Sequence, residues 1–131
     1  MGRIVTQVAI GNPFEPEKQI LCSALVDTGA SHLTLPSVWK QRLGTLRQME
    51  TVEMGLANQT TVVGEVGGPV SIAVEGFRKV FGEVLFLDME PINGEFEPLL
   101  GYLPLEACPV AVDMLGHRLV SVKYMDLKRA R

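Results

Sequence analysis

Short runs of alternating apolar and polar residues, broken by Gly, Pro and Asn, recur along the whole chain and predict strands rather than helices. Residues 3–10 alternate, Gly11-Asn12-Pro13 turns the chain, and 19–26 return as the second arm of a hairpin. Residues 33–35 form a short strand, after which Pro36-Ser37 opens a helical turn over 38–43 that Gly44 stops. Strands over 51–54 and 60–66 flank a tip at 55–59, and 69–74 pair with 77–87 across Glu75-Gly76. An acidic loop follows at 88–97, with Pro91 and an Asn93-Gly94 turn. Residues 103–108 read as a short helix with Pro104 in its first turn, and 111–113 pair with 117–124 across Met114-Leu115-Gly116. The pattern is all-β, a barrel or sandwich with one or two short helices. Its one internal echo is "apolar strand, Gly turn, short helix", centred on Gly29 and Gly101.

Composition narrows the function classes. At 131 residues the chain is one domain, 1–131, large enough for a core without disulfides. Apolar residues make up 47 % and charged residues 21 %, and the mean hydropathy is +0.21, so the chain is globular. A net charge of −3 with no basic run among aromatics argues against nucleic acid. The basic end, Lys123, Lys128, Arg129 and Arg131, reads as a solvated tail. Cys22 and Cys108 are too far apart for a Cys-x-x-Cys pair and are expected as buried free thiols; His32 and His117 are isolated, so no metal or cofactor is expected. No apolar run reaches a membrane span and no signal-peptide pattern opens the chain, which places the expectation at a cytoplasmic protein without membrane contact. Met1-Gly2 formally fits a myristoylation pattern, but the same stretch reads as the start of the first strand.

The chemistry concentrates in Asp27-Thr28-Gly29-Ala30. The preceding Ile20-Leu21-Cys22-Ser23-Ala24-Leu25-Val26 and the following Leu33-Thr34-Leu35 are mostly apolar, so the turn is expected inside the protein. An Asp buried there without a task would be costly. A strand end fixes the carboxylate, Thr28 can anchor its hydroxyl below the turn, and Gly29 admits a close ligand or backbone. Asp-Thr-Gly is also an ordinary surface β-turn sequence, and only its flanks argue otherwise.

With Pro98-Leu99-Leu100-Gly101 further on, the chain resembles the single-domain, retroviral-type (retropepsin-like) aspartic peptidases over roughly residues 4–124. Where viral members carry Arg and then Asp or Asn after the second glycine, this chain has Tyr102-Leu103-Pro104, which makes it more similar to cellular and bacterial members. The resemblance implies a closed β-barrel of the acid-protease half type, Asp27 as catalytic residue within the turn Thr28, Gly29 and Ala30, and a peptide or protein substrate. It also implies a flap: the hairpin at this place in the order closes over bound peptide in that family, which puts Ala57, Asn58 and Gln59 at the flap tip.

Peptide hydrolysis by carboxylates needs two side by side, one ionised to take a proton from water and one protonated to polarise the carbonyl. Asp88, Asp113 and Asp126 lack the Thr/Ser-Gly that follows Asp27, so the second carboxylate is expected from a second copy in a twofold homodimer. Ala30 stands where a serine could donate to the carboxylate, which predicts a less acidic optimum than a serine-bearing relative would show. The alternative is a dimeric peptide-binding or assembly module that keeps the fold without catalysis.

Overall fold

The computed structural model describes residues 3–55 and 58–122. Met1-Gly2, Ala57, the end of the last expected strand at Tyr124 and the basic tail lie outside the described residues. Seven strands form one sheet in the order β1-β2-β7-β3-β6-β5-β4: β1 (Val5–Asn12), β2 (Glu15–Val26), β3 (Leu33–Pro36), β4 (Gln48–Gly55), β5 (Thr61–Val74), β6 (Val80–Leu87) and β7 (Leu99–Leu100). β1 also pairs with β5, Val8 opposite Val74 and Ile10 opposite Ile72, which closes the sheet into a barrel. The inward residues of the alternating pattern fill it: Ile10, Ile20, Ala24, Leu33, Leu35, Leu43, Val70, Val84 and Leu100 have no exposed surface. Each such aliphatic side chain contributes about 1.5–3 kcal/mol on burial, apart from the smaller Ala24. A 3₁₀ turn over Ser37–Leu43 ends at Gly44, whose φ of +69° is the left-handed conformation that glycine adopts without strain. Helix α1 spans Tyr102–Ala107, one residue earlier than the sequence suggests. β8 (Val110–Asp113) and β9 (Arg118–Ser121) form a separate antiparallel hairpin.

Several expectations need correction. The two strands expected at 60–66 and 69–74 are one, β5, which continues through Gly67-Gly68-Pro69 with a register shift between Gly67 and Val70. Glycines and a proline inside a strand mark a bulge here rather than an end. β2 starts at Glu15 rather than 19, because its first residues are polar and mostly solvent-facing yet still pair with β1, Asn12 opposite Glu15 after a register shift. The hairpin between β1 and β2 is pinned by buried Asn12, whose side-chain amide donates to Leu43 O at 2.8 Å and Thr45 O at 2.9 Å and accepts from Phe14 N–H at 2.9 Å. His117, expected in the last strand, sits in the preceding turn at φ +54°. That turn is fastened by Asp113, which accepts from Gly116 N–H at 2.9 Å and from Arg118 Nε at 3.0 Å; the backbone donor first, and Arg118 second, hold its carboxyl below the ordinary value.

Cys108 is buried as expected, but Cys22 is only half-buried, packed against the core from β2. Burial pushes the Cys22 thiol up to about 11 and the Cys108 thiol up as well, so both are inert at neutral pH. Among the described residues no group of three or more His, Cys, Asp or Glu is arranged to hold a metal, and no helix is long and apolar enough to cross a membrane.

Candidate active site

β7 carries only two residues, yet it builds the site. It slots between β2 and β3, parallel to β2 with Leu25 opposite Leu99 and Val26 opposite Leu100, and antiparallel to β3 at Thr34. The two sequence motifs therefore lie side by side. Pro98 O accepts from Leu25 N–H at 2.8 Å, Ile4 O from Val26 N–H at 2.8 Å, and Leu100 O from Asp27 N–H at 3.0 Å. The backbone of Asp27 is thus fixed by a residue far along the chain before its side chain is considered.

The turn itself closes locally. Ala30 N–H donates to Asp27 O at 3.1 Å, and Gly29 N–H donates to the Asp27 carboxylate Oδ1 at 2.9 Å. That bond orients the carboxylate and leaves Oδ2 for another partner. The Ala30 side chain offers no donor, as its identity requires, and the nearest hydroxyl in sequence after it, Ser31 Oγ, lies 2.8 Å from His32 Nδ1. Behind the turn, Tyr102 N–H donates to Ala30 O at 2.9 Å and Leu103 N–H to Ser31 O at 3.0 Å, so the start of α1 grips the chain between Asp27 and β3.

Gly101 makes that grip possible. A Cβ at this position would lie 2.6 Å from Ala30 O, from His32 O and from the Ser31 carbonyl carbon. Those neighbours are all backbone, so no side chain can step aside. The sequence marks Leu99-Leu100-Gly101 as a motif; the structure supplies the reason, a close crossing of two backbones that only glycine allows.

The structure corrects the expectation that the turn is interior. Asp27 is half-buried, while Thr28 and Gly29 are exposed, because β7 buries the apolar flanks of the turn and leaves its tip at the surface of the subunit. Arg3, Ile4, Leu25, Val26, Val112 and Met114 line an open depression with Asp27 and Thr28. Arg3, Val112 and Met114 are neighbours that sequence motifs could not reveal: Arg3 comes from the segment before β1, Val112 from β8 and Met114 from the turn after it.

Asn58 and Gln59 lie elsewhere, at the exposed tip of the β4–β5 hairpin, and share neither a hydrogen bond nor a cavity with the Asp27 turn. Asn58 Oδ1 accepts from Thr60 N–H at 3.1 Å and Thr60 Oγ1 at 2.6 Å, and Gln59 takes φ +69°. Asn58 and Thr60 thus form a local side-chain-stabilised bend on the β5 side of the tip. Register places Val52, Met54 and Val62 on one face of this hairpin, half-buried, and Glu53 and Val63 on the exposed other face. The acidic loop between β6 and β7 is strapped at both ends: Ser37 Oγ donates to Asp88, Trp39 packs edge-on against Phe96 at 6.0 Å, and Arg3 pairs with Glu97.

A closed barrel of mixed parallel and antiparallel strands, in which a two-residue strand backs an Asp-Thr-Gly turn, is the retropepsin-like acid-protease fold. The comparisons agree: residues 7–102 match the aspartyl protease family, and the chain belongs to it. A solved structure described as the EIAV protease complexed with the inhibitor HBY-793 superposes with a TM-score of 0.58, at 21 % identity, covering 94 % of each chain. No curated protein matches.

Proposed function

We propose that the protein is an aspartic endopeptidase that cleaves extended, largely apolar peptide segments with a dyad made of Asp27 from each of two subunits. The observation that carries this reading is the half-site itself. One carboxylate, oriented by Gly29 N–H and held on a doubly hydrogen-bonded strand end, stands at the subunit surface beside exposed Thr28 and Gly29. A second copy related by a twofold axis through that surface brings the same turn opposite. Met114 of the β8–β9 hairpin, 48 % exposed, flanks it, and the adjoining Leu115, 98 % exposed, extends the apolar surface that a partner would cover.

In such a pair, two carboxylates about 4 Å apart repel by roughly 4 kcal/mol at an effective dielectric near 20. They hold one proton between them over a wide pH range. The ionised oxygen takes a proton from water as the water oxygen attacks the peptide carbonyl; the protonated partner gives its proton to the carbonyl oxygen. Collapse of the tetrahedral intermediate then returns a proton to the leaving amine. Substrate would lie as an added strand between the turns and the β4–β5 hairpins, with Val52, Met54 and Val62 offering an apolar face.

Sedimentation equilibrium at micromolar concentration is expected to give twice the 14.3 kDa chain mass, and specific activity on a peptide library is expected to fall on dilution as dimer dissociates. A strict monomer whose activity per chain is unchanged by dilution would overturn the shared dyad. The β4–β5 tip, with Asn58 and Gln59, is proposed as the flap that opens for peptide and excludes water when closed. Amide exchange at 58–60 is expected to slow when a statine-type transition-state analogue binds. Unchanged exchange there, with slowing at another hairpin, would move the flap assignment to that hairpin.

A further inference from the structure

A second cavity lies under α1. Leu103, Pro104 and Ala107 form one wall, Val80, Phe81 and Gly82 of β6 the other, with Ile72 between them; its volume is about 210 Å³. It shares no lining residue with the depression at Asp27. All its lining is apolar apart from His32 and Glu83. His32 Nε2 lies 3.4 Å from Glu83 Oε1, at the long limit of a hydrogen bond, while Nδ1 lies 2.8 Å from Ser31 Oγ. A carboxylate only accepts, so in the neutral ring Nε2 carries the proton and the Ser31 hydroxyl donates to Nδ1. Glu83 is therefore weakly engaged, with its side chain 57 % exposed, above an apolar hollow that has room for one ring or one branched alkyl group.

We propose that this cavity binds a small organic cation, with a one-ring or branched-alkyl body seated between α1 and β6 and a protonated amine on the Glu83 carboxylate. Charge complementarity selects the amine: Glu83 is the only carboxylate among the lining residues, so an anionic ligand of the same shape meets repulsion. The hollow supplies burial for the body and the carboxylate supplies orientation. Occupancy would also be felt at the candidate active site, because His32 on the rim and Leu103 on the wall belong to the contact between α1 and residues 30–32. This site does not depend on the chain being a peptidase, and its test does not read proteolysis.

Nitrogen–proton NMR spectra of the whole chain, titrated with phenethylamine, 2-phenylethanol and 3-phenylpropionate, provide that test. Phenethylamine is expected to give saturable shifts at Phe81, Gly82, Leu103 and Ala107, with affinity about tenfold above the alcohol and the carboxylate weakest. Glu83→Gln should bring the amine down to the level of the alcohol without changing the alcohol. Gly82→Val should abolish binding of both, since a Cβ there points toward Ile72 with its nearest contact at 4.0 Å and the added methyls enter the hollow. Equal affinity of all three compounds, absence of saturation, shifts centred on Asp27 and Thr28, or an amine indifferent to Glu83→Gln would each overturn the proposal. If Gly82→Val fails to fold, the ligand series and Glu83→Gln decide it alone.

Discussion

Asp27→Asn is expected to lower peptide cleavage by about a thousandfold or more, because in the proposed dimer it replaces both members of the dyad by amides that neither accept a proton from water nor donate an acidic one. The fold should survive. Asn keeps an oxygen where Asp27 Oδ1 accepts from Gly29 N–H, and the backbone bond to Leu100 O does not involve the side chain. Removing two facing carboxylates also removes their repulsion, so the mutant dimer should melt at or above the wild-type temperature. Initial rates on a peptide library, read beside thermal unfolding and sedimentation of the same samples, check both halves. Wild-type turnover by Asp27→Asn would exclude Asp27 as the catalyst, and an inactive wild type that still bound peptides as a dimer would favour the assembly-module reading.

Gly101→Ala is expected to cost about 3 kcal/mol, a fall of roughly 10 °C in melting temperature for a domain of this size. One methyl group would have to fit 2.6 Å from three backbone atoms of residues 30–32, and relief requires moving either α1 or the segment that ends the Asp27 turn. Either movement disturbs the bonds from Tyr102 and Leu103 to Ala30 and Ser31. Gly55→Ala is the control, since a Cβ there meets nothing within 4 Å and the residue has no left-handed φ. It should leave the melting temperature within about 2 °C. A Gly101→Ala protein as stable as Gly55→Ala would show that the crossing of the two backbones is looser than it stands here.

Most of the barrel could be read from alternation, because each strand buries one face and a period of two survives in the sequence wherever that is so. The errors fall where another constraint overrides it. Gly67-Gly68-Pro69 reads as a terminus, yet β6 and β4 flank that stretch and carry the pairing across the bulge. Glu17 and Lys18 read as loop because an exposed stretch of β2 has no face to bury. At the site, Asp27-Thr28-Gly29-Ala30 and Leu99-Leu100-Gly101 were both visible as motifs, but their parallel pairing was not. Pairing is a long-range property, and a two-residue strand carries no periodicity. The exposure of Thr28 and Gly29 was missed for a related reason: apolar flanks report where the strands are buried, not where the turn between them emerges.

The bond from Asp27 N–H to Leu100 O also bears on when the half-site can exist. A growing chain that ends before Leu100 has both arms of the first hairpin, and the hairpin can pair, but the partner strand that fixes the Asp27 backbone has not yet been made. Contacts this distant in sequence form after local ones, since the loop between them must first be closed. During synthesis, then, the Asp27 carboxylate remains unpositioned until nearly the whole barrel has emerged, and order of folding alone ties the candidate site to the completion of the domain.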